Sequence, residues 1–99
     1  MKTTVVNIRK EPYDVYIGRD KKNPYAHYGN PFPVIGDMSR EQSISNFEAW
    51  LVGTDFINLE PERRRWILRN MGNLEGKRLG CFCKPLACHG DVYARLLDY

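Results

Sequence analysis

The stretch that decides the fold runs Arg78-Leu-Gly-Cys-Phe-Cys-Lys-Pro-Leu-Ala-Cys-His-Gly-Asp-Val-Tyr-Ala-Arg-Leu-Leu97. Its apolar first part, Leu79 to Cys83, predicts a strand, Lys84 to Cys88 a tight loop, and Gly90 onward an amphipathic helix. All three cysteines lie in this stretch. Cys83, Cys88 and His89 therefore come at the place where a strand ends and a helix begins. Open α/β sheets bind ligands there, often against a helix N-terminus.

Two further strands are predicted before this stretch. Thr3 to Ile8 is apolar and β-branched, and Asp14 to Ile17 is a shorter run that Gly18 ends. The segment from 21 to 36 contains three prolines, so regular structure is not expected in it. A loop of this length in a compact domain is typically functional or disordered, and its aromatic residues favour order.

Two helices are predicted in the middle of the chain. Ser39 followed by Gln42 has the spacing of a capping box, and Gly53 can end that first helix. Pro61 suits the first turn of a second helix. The resulting order, β-β-loop-α-α-β-α, predicts residues 1–99 to be a single α/β domain. We expect a compact sandwich with a small, partly parallel, Rossmann-like sheet.

Composition excludes some classes of protein. The chain has 99 residues, 42% hydrophobic and 27% charged, with a formal net charge of +3. These values are typical of a globular domain. No apolar run approaches the roughly 20 residues of a membrane span, and the N-terminus lacks the pattern of a signal peptide. Three clustered cysteines fit ligation or reactivity better than a disulfide framework, so we expect a cytoplasmic protein without a membrane partner.

The cysteine cluster allows three interpretations. Cys81, Cys83, Cys88 and His89 have the number and types of ligand for zinc, although their spacing is unusual and Cys81 also suits a core position. Cys83 or Cys88 could instead be a reactive thiol near a helix N-terminus, with His89 beside it. In the third interpretation, His89 and the amides of His89, Gly90 and Asp91 cap the helix or hold an anion. Asp91 could also serve only as part of the cap.

A second candidate site follows the second strand. Gly18 would let a ligand approach the backbone, and Arg19 offers a planar fork of donors for phosphate or carboxylate. Asn30, in a Gly-Asn-Pro-Phe turn, could orient a ligand or simply bond to its local backbone. Each of these features is weak alone, and together they matter only if the two strands are neighbours.

The densest basic run is a candidate nucleic-acid surface. It comprises Arg63, Arg64, Arg65 and Arg69 on the second helix. No basic region is interleaved with aromatic residues in a recognisable nucleic-acid-binding pattern. A solvated helix face is therefore the favoured interpretation, and nucleic acid is not the favoured partner.

Taken together, several motifs resemble one family. These motifs are Tyr16-Ile-Gly-Arg19, Tyr28-Gly-Asn-Pro-Phe32, Gly76-Lys-Arg-Leu-Gly-Cys-Phe-Cys-Lys-Pro85 and Cys88-His-Gly-Asp91. The resemblance is to the small bacterial and phage proteins grouped as domain of unknown function 4326, from about residue 14 to 97. It implies a cytoplasmic, often phage-encoded protein, with no activity to carry over. The shared polar residues would be Arg19, Asn30, Cys83, Cys88, His89 and Asp91. A more distant likeness, to domain of unknown function 488, implies a Rossmann-like sheet with a strand-end pocket.

The leading hypothesis is a pocket at the strand ends for a small anionic, nucleotide-like ligand. Its binding residues would be Gly18, Arg19, Asn30, His89, Gly90 and Asp91. Cys83, Cys88 and His89 are the catalytic candidates if the protein is an enzyme. The rival hypothesis is a non-catalytic protein that binds a host protein or nucleic acid, with a structural zinc or packed cysteines.

Overall fold

A parallel sheet of three strands organises the molecule. The computed structural model describes residues 2–18 and 28–98. Strands β1 (Thr4–Asn7) and β2 (Val15–Tyr16) both pair in parallel with β3 (Arg78–Cys81), so the order across the sheet is β1-β3-β2. The carboxyl ends of all three strands therefore meet at one edge, and β3 is flanked on both sides.

Three α-helices complete the described structure: α1 (Arg40–Val52), α2 (Pro61–Asn70) and α3 (Gly90–Leu97), with a 3₁₀ turn at Met71–Leu74 after α2. This succession of elements confirms the mixed α/β fold expected from the sequence. In the two described segments, no helix is long and apolar enough to cross a membrane.

The core lies between the helices and one face of the sheet. Leu79 is aligned with both Val5 and Val15, and all three pack into the apolar cluster. The helices contribute large side chains with no exposed surface, namely Phe47, Trp50, Leu51, Ile67 and Tyr93. Burial of each such side chain is worth about 1.5–3 kcal/mol, so this cluster fixes how the helices sit on the sheet.

The connection between β1 and β2 crosses β3 on the other face. Residues 8–14 carry the chain from one edge of the sheet to the other, a much shorter path than the roughly dozen residues of most parallel crossovers. Gly80 makes this path possible. A Cβ there would lie 2.6 Å from Ile8 Cγ2 and 2.8 Å from the Tyr13 ring, so the connection lies directly on the backbone of β3.

Local signals set the limits of α1. The Ser39 hydroxyl accepts the Gln42 amide at 3.0 Å, as the capping-box spacing predicts. The Gln42 side chain bonds to Asn46 instead of returning to Ser39. Gly53 ends the helix with a φ of 88°, a conformation that favours glycine. Its amide bonds to the Ala49 carbonyl.

The structure differs from the sequence prediction in two places. β3 ends at Cys81 and does not extend to Cys83, and Phe82 is half exposed. The sheet is wholly parallel among the described residues. β1 pairs with β3 along Arg78–Cys81 and β2 only with Leu79 and Gly80, and the extent of this pairing limits the length of β3. Part of the predicted 21–36 loop lies outside the described residues, and residues 28–39 contain no strand.

Candidate functional site

A cavity of about 250 Å³ lies at the carboxyl ends of β2 and β3. One side of its lining is formed by Gly18, which follows β2, and by the Cys81-Phe82-Cys83 segment, which begins at the last residue of β3. Cys88 and His89 come from the start of α3. The remaining polar side chains in its wall are Tyr16, Asn30, Arg40 and Ser43. The two strand ends singled out in the sequence thus border one cavity, because β2 and β3 are neighbours.

Two thiols lie in contact in the cavity wall. The Sγ atoms of Cys81 and Cys88 are 3.3 Å apart, and each residue is only 2% exposed. Both cysteines are free. The strand end fixes Cys81 and the start of α3 fixes Cys88, so the contact joins two elements of the fold.

The thiol pair shares one proton. A hydrogen bond from Cys88, helped by the amides of Cys83 and Lys84 and opposed by burial, lowers the pKa of Cys81 to about 6. The same hydrogen bond, together with burial and the charge of Cys81, raises the pKa of Cys88. Of the two, Cys81 is therefore the thiol that ionises more readily, and Cys88 is the one that holds its proton.

Lys84 and Asp91 form an ion pair beside these thiols, with Nζ 2.9 Å from Oδ1. Burial tends to lower the pKa of Lys84, but Asp91 and the charges of the thiol pair raise it. The other Asp91 oxygen accepts the Cys88 amide at 3.1 Å. Asp91 thus has the capping role that the sequence left open, and the lysine places a positive charge near the Cys81 thiolate.

His89 joins two parts of the chain from inside the core. Its Nε2 lies 2.8 Å from the Ile17 carbonyl and 3.1 Å from the Tyr28 carbonyl. Because both partners only accept, Nε2 carries the proton. The ring packs at 5.1 Å against Phe47. His89 occupies the N-cap position of α3 without a side-chain cap bond, so its geometry is that of a positioning group.

Asn30 bonds to its own turn and to α1. Its Nδ2 donates to Ser43 Oγ at 2.9 Å, and its Oδ1 accepts the Phe32 amide at 2.8 Å. The Ser43 hydroxyl in turn donates to the Phe32 carbonyl at 2.5 Å. This buried network fixes the Gly-Asn-Pro-Phe turn against α1, which is the local role that the sequence had left as an alternative.

The amides at the start of α3 also bond within the chain. The Gly90 amide donates to Cys88 Sγ at 3.3 Å, and the Asp91 amide donates to the Cys88 carbonyl at 3.0 Å. A Cβ at Gly90 would lie 2.6 Å from Ile17 Cδ1, so Gly90 allows α3 to pack closely on the sheet. The first amides of α3 thus have acceptors within the chain, one of them the Cys88 sulfur.

Arg40 is a cavity residue that the sequence analysis missed. It is the first residue of α1, and its Nη1 donates to the Ala87 carbonyl at 3.3 Å. Of the described residues in the cavity wall, it carries the one permanent charge. Its position behind the Ser39 cap was visible in the sequence, but its proximity to the cysteines depends on how α1 packs.

The four proposed zinc ligands line one cavity but do not form a recognisable metal site among the described residues. In residues 2–18 and 28–98, no group of three or more His, Cys, Asp or Glu side chains has an arrangement that would hold a metal ion. The His89 ring nitrogen that donates to the two carbonyls is also unavailable as a ligand in that state. The zinc and thiol interpretations of the cluster both stay predictions.

Half of the basic run points into the protein. Arg63 donates to the Gly29 carbonyl, and its guanidinium lies 5.4 Å from the centre of the Trp50 ring. Arg64 Nε donates to the Trp50 carbonyl at 2.7 Å, near the end of α1. Only Arg65 and Arg69 are exposed. This division weakens the run as a continuous nucleic-acid surface. Arg19, the predicted anion ligand after β2, lies outside the described residues.

Comparison with known proteins assigns this chain to a family. No solved structure gives a match. The chain is 34% identical over 96 residues to the "Uncharacterized 12.4 kDa protein in nrdA-td intergenic region" of Enterobacteria phage T4, an alignment covering 95% of this chain and 76% of the phage protein. A family model matches residues 2–99. The chain therefore belongs to the family described as Domain of unknown function (DUF4326).

Proposed function

We propose that the cavity at the ends of β2 and β3 binds a small anionic ligand of mononucleotide size. The observation that carries the proposal is the position of Arg40 in the wall of this cavity. A guanidinium offers a planar fork of donors that suits phosphate or carboxylate. Its bond to the Ala87 carbonyl uses a single nitrogen, Nη1.

The orientation of two helices also favours a negatively charged ligand. Arg40 and Ser43 lie in the first turn of α1, and Cys88 and His89 directly precede α3. Both helix N-termini thus border the cavity, and each carries a partial positive charge of about half a unit. These two ends and the guanidinium offset the negative charge of the Cys81 thiolate.

The volume of the cavity and the side chains in its wall limit which ligands it could bind. A cavity of about 250 Å³ is at the lower end of ordinary ligand sites, which start near 300 Å³. Such a volume fits a mononucleotide or sugar phosphate better than a dinucleotide. Phe82 lines the cavity and is 50% exposed, with Tyr16 in an edge contact and the Arg9 guanidinium 5.0 Å from its ring centre. A base could stack only on the face of the ring that Arg9 leaves uncovered.

The experiment is calorimetric titration with AMP, adenosine and ribose 5-phosphate on the wild-type protein and two variants. We expect AMP to bind and adenosine to bind at least about tenfold more weakly, since the phosphate supplies the charge-assisted bonds. Arg40→Ala should weaken AMP binding by about tenfold or more. The matched control is Arg65→Ala, which removes an exposed arginine of α2 and should leave the affinity unchanged.

Two results would contradict the proposal. One is equal AMP affinity in Arg40→Ala and the wild type, with both folded by circular dichroism. The other is an affinity for adenosine that matches that for AMP, since charge would then play no part in recognition. Nucleic-acid binding with a steep salt dependence that is lost on neutralising Arg65 and Arg69 together would favour the nucleic-acid alternative instead.

A further inference from the structure

The contact between Cys81 and Cys88 leaves little distance to a covalent bond. Their sulfurs are 3.3 Å apart, and a disulfide needs about 2.05 Å, so each sulfur must move by well under about 1 Å. Cys88 lies in the segment that precedes α3, and Cys81 is the last residue of β3. Small rotations of the two side chains would suffice, without separating β3 from α3.

The cavity gives small molecules a route to this pair. Cys81 and Cys88 both line it, although each residue is only 2% exposed. Sulfur atoms with so little exposed surface can be reached by a reagent of a few atoms but not by a large one. Hydrogen peroxide is of the right size, whereas a peptide disulfide is not.

Charge at the site favours attack by Cys81 on an oxidant. Amides of Cys83 and Lys84 and the thiol of Cys88 donate toward its sulfur, which lowers its pKa to about 6. The thiolate is the form that reacts with peroxide, and sulfenic acid formation is typical where a second thiol lies alongside. Cys88, at 3.3 Å, is that second thiol.

We infer that Cys81 and Cys88 are a peroxide-reactive dithiol that closes to an intramolecular disulfide. In the first step the Cys81 thiolate attacks one peroxide oxygen, the O–O bond breaks, and hydroxide leaves as Cys81 becomes a sulfenic acid. In the second step the Cys88 sulfur attacks Cys81 Sγ and the S–O bond breaks. The Cys88 proton leaves with the displaced oxygen as water. The two cysteines are oxidised by two electrons, and the peroxide is reduced by two.

Cys83 is the competitor that an experiment must separate. It also lines the cavity, is half-buried, and its thiol bonds to Cys81. Trypsin does not resolve the three cysteines, because Lys84 precedes a proline and the peptide from Leu79 to Arg95 contains them all. Serine variants that each leave two thiols remove this ambiguity.

The test treats reduced Cys83→Ser, Cys81→Ser and Cys88→Ser proteins with stoichiometric hydrogen peroxide and weighs the 79–95 peptide without reduction. We expect Cys83→Ser to lose two hydrogen atoms in full and to recover them with dithiothreitol. Cys81→Ser and Cys88→Ser should form no internal disulfide. In Cys88→Ser, dimedone should trap a sulfenic acid on Cys81. Circular dichroism checks the fold of each variant.

Two outcomes would overturn the inference. The first is a Cys83→Ser peptide that stays reduced while free cysteine in the same tube is oxidised. The second is a wild-type disulfide that fragmentation assigns to Cys83. Both readouts use wild type or Cys83→Ser, which keeps the buried pair intact, and neither involves AMP. A failure here is therefore distinct from a failure of the proposed ligand site.

Discussion

The protonation of Cys81 depends most on the Cys88 thiol 3.3 Å away, and less on the Cys83 thiol and the amides of Cys83 and Lys84. With the pKa of Cys81 lowered to about 6, its thiolate forms well below the pH at which an ordinary cysteine ionises. We expect the rate of Cys81 oxidation by peroxide in Cys83→Ser to rise through about pH 6 and to level off by neutral pH. Initial rates across a pH series measure this midpoint.

A different pH dependence of the oxidation rate would contradict this prediction. A rate that keeps rising past about pH 8.5, as for free cysteine measured in parallel, would mean that Cys88 does not stabilise the Cys81 thiolate. The opposite shifts of the two thiols explain why the pair ionises once near neutral pH. Cys88 keeps its proton because Cys81 has lost one.

Individual residues were predicted with mixed success. The sequence placed Cys83, Cys88 and His89 near a strand end, and the structure places all three at the cavity. The sequence analysis assigned Cys83 and Cys88 to the site. It did not decide whether Cys81 belongs to the site or to the core, because a strand ending at Cys83 was expected. The close thiol pair depends on where β3 ends and how α3 packs, and residue spacing encodes neither directly.

The helices and strands were easier to predict from the sequence than the individual site residues. β-branched runs, the Ser39 cap, Gly53 and Pro61 are local signals, and the helices and strands occur where these signals predicted them. The crossover from β1 to β2 was not predictable in the same way. It depends on a contact between residues 8–13 and Gly80, more than 60 residues later in the chain.

This crossover gives a prediction for element packing. Gly80→Ala places a methyl group within 2.6–2.9 Å of Ile8 and the Tyr13 ring, so the connection must shift off β3. We expect a loss of about 1–3 kcal/mol in the free energy of unfolding. The matched control is Gly72→Ala, where a Cβ meets no atom within 4 Å. Urea unfolding of both variants measures the difference.

Gly72→Ala should be neutral or slightly stabilising, since alanine restricts the unfolded chain without a clash. If Gly80→Ala unfolds at the same urea concentration as Gly72→Ala, the close approach of the connection to β3 is wrong. The described position of the site would then also be wrong, because the same connection leads into β2 and Gly18.

At the scale of the whole molecule, α1, β2, β3 and α3 each bring one part of the site. His89 bonds the end of β2 to the Tyr28 segment, and Asn30 bonds that segment to α1. Residues assigned to ligand binding from the sequence thus hold the cavity walls in place. Arg40, which sequence reasoning missed, is brought to the cavity by the packing of α1 and carries the charge on which the proposed function depends.

The charge distribution separates the two rival functions. The net charge of +3 alone does not distinguish them. Arg40 marks the cavity, whereas Arg65 and Arg69 are the exposed part of the α2 run. A small anion and a nucleic acid should therefore bind different surfaces, and the location of binding decides between them.

The most direct measurement is an NMR titration of the isotope-labelled protein with AMP, followed through backbone amide shifts. The account predicts shifts concentrated at the cavity, above all at Gly18, Arg40, Ser43, Cys81 and Cys83. Shifts concentrated along α2 at Arg65 and Arg69, or no shifts at AMP concentrations that saturate calorimetric binding, would contradict it.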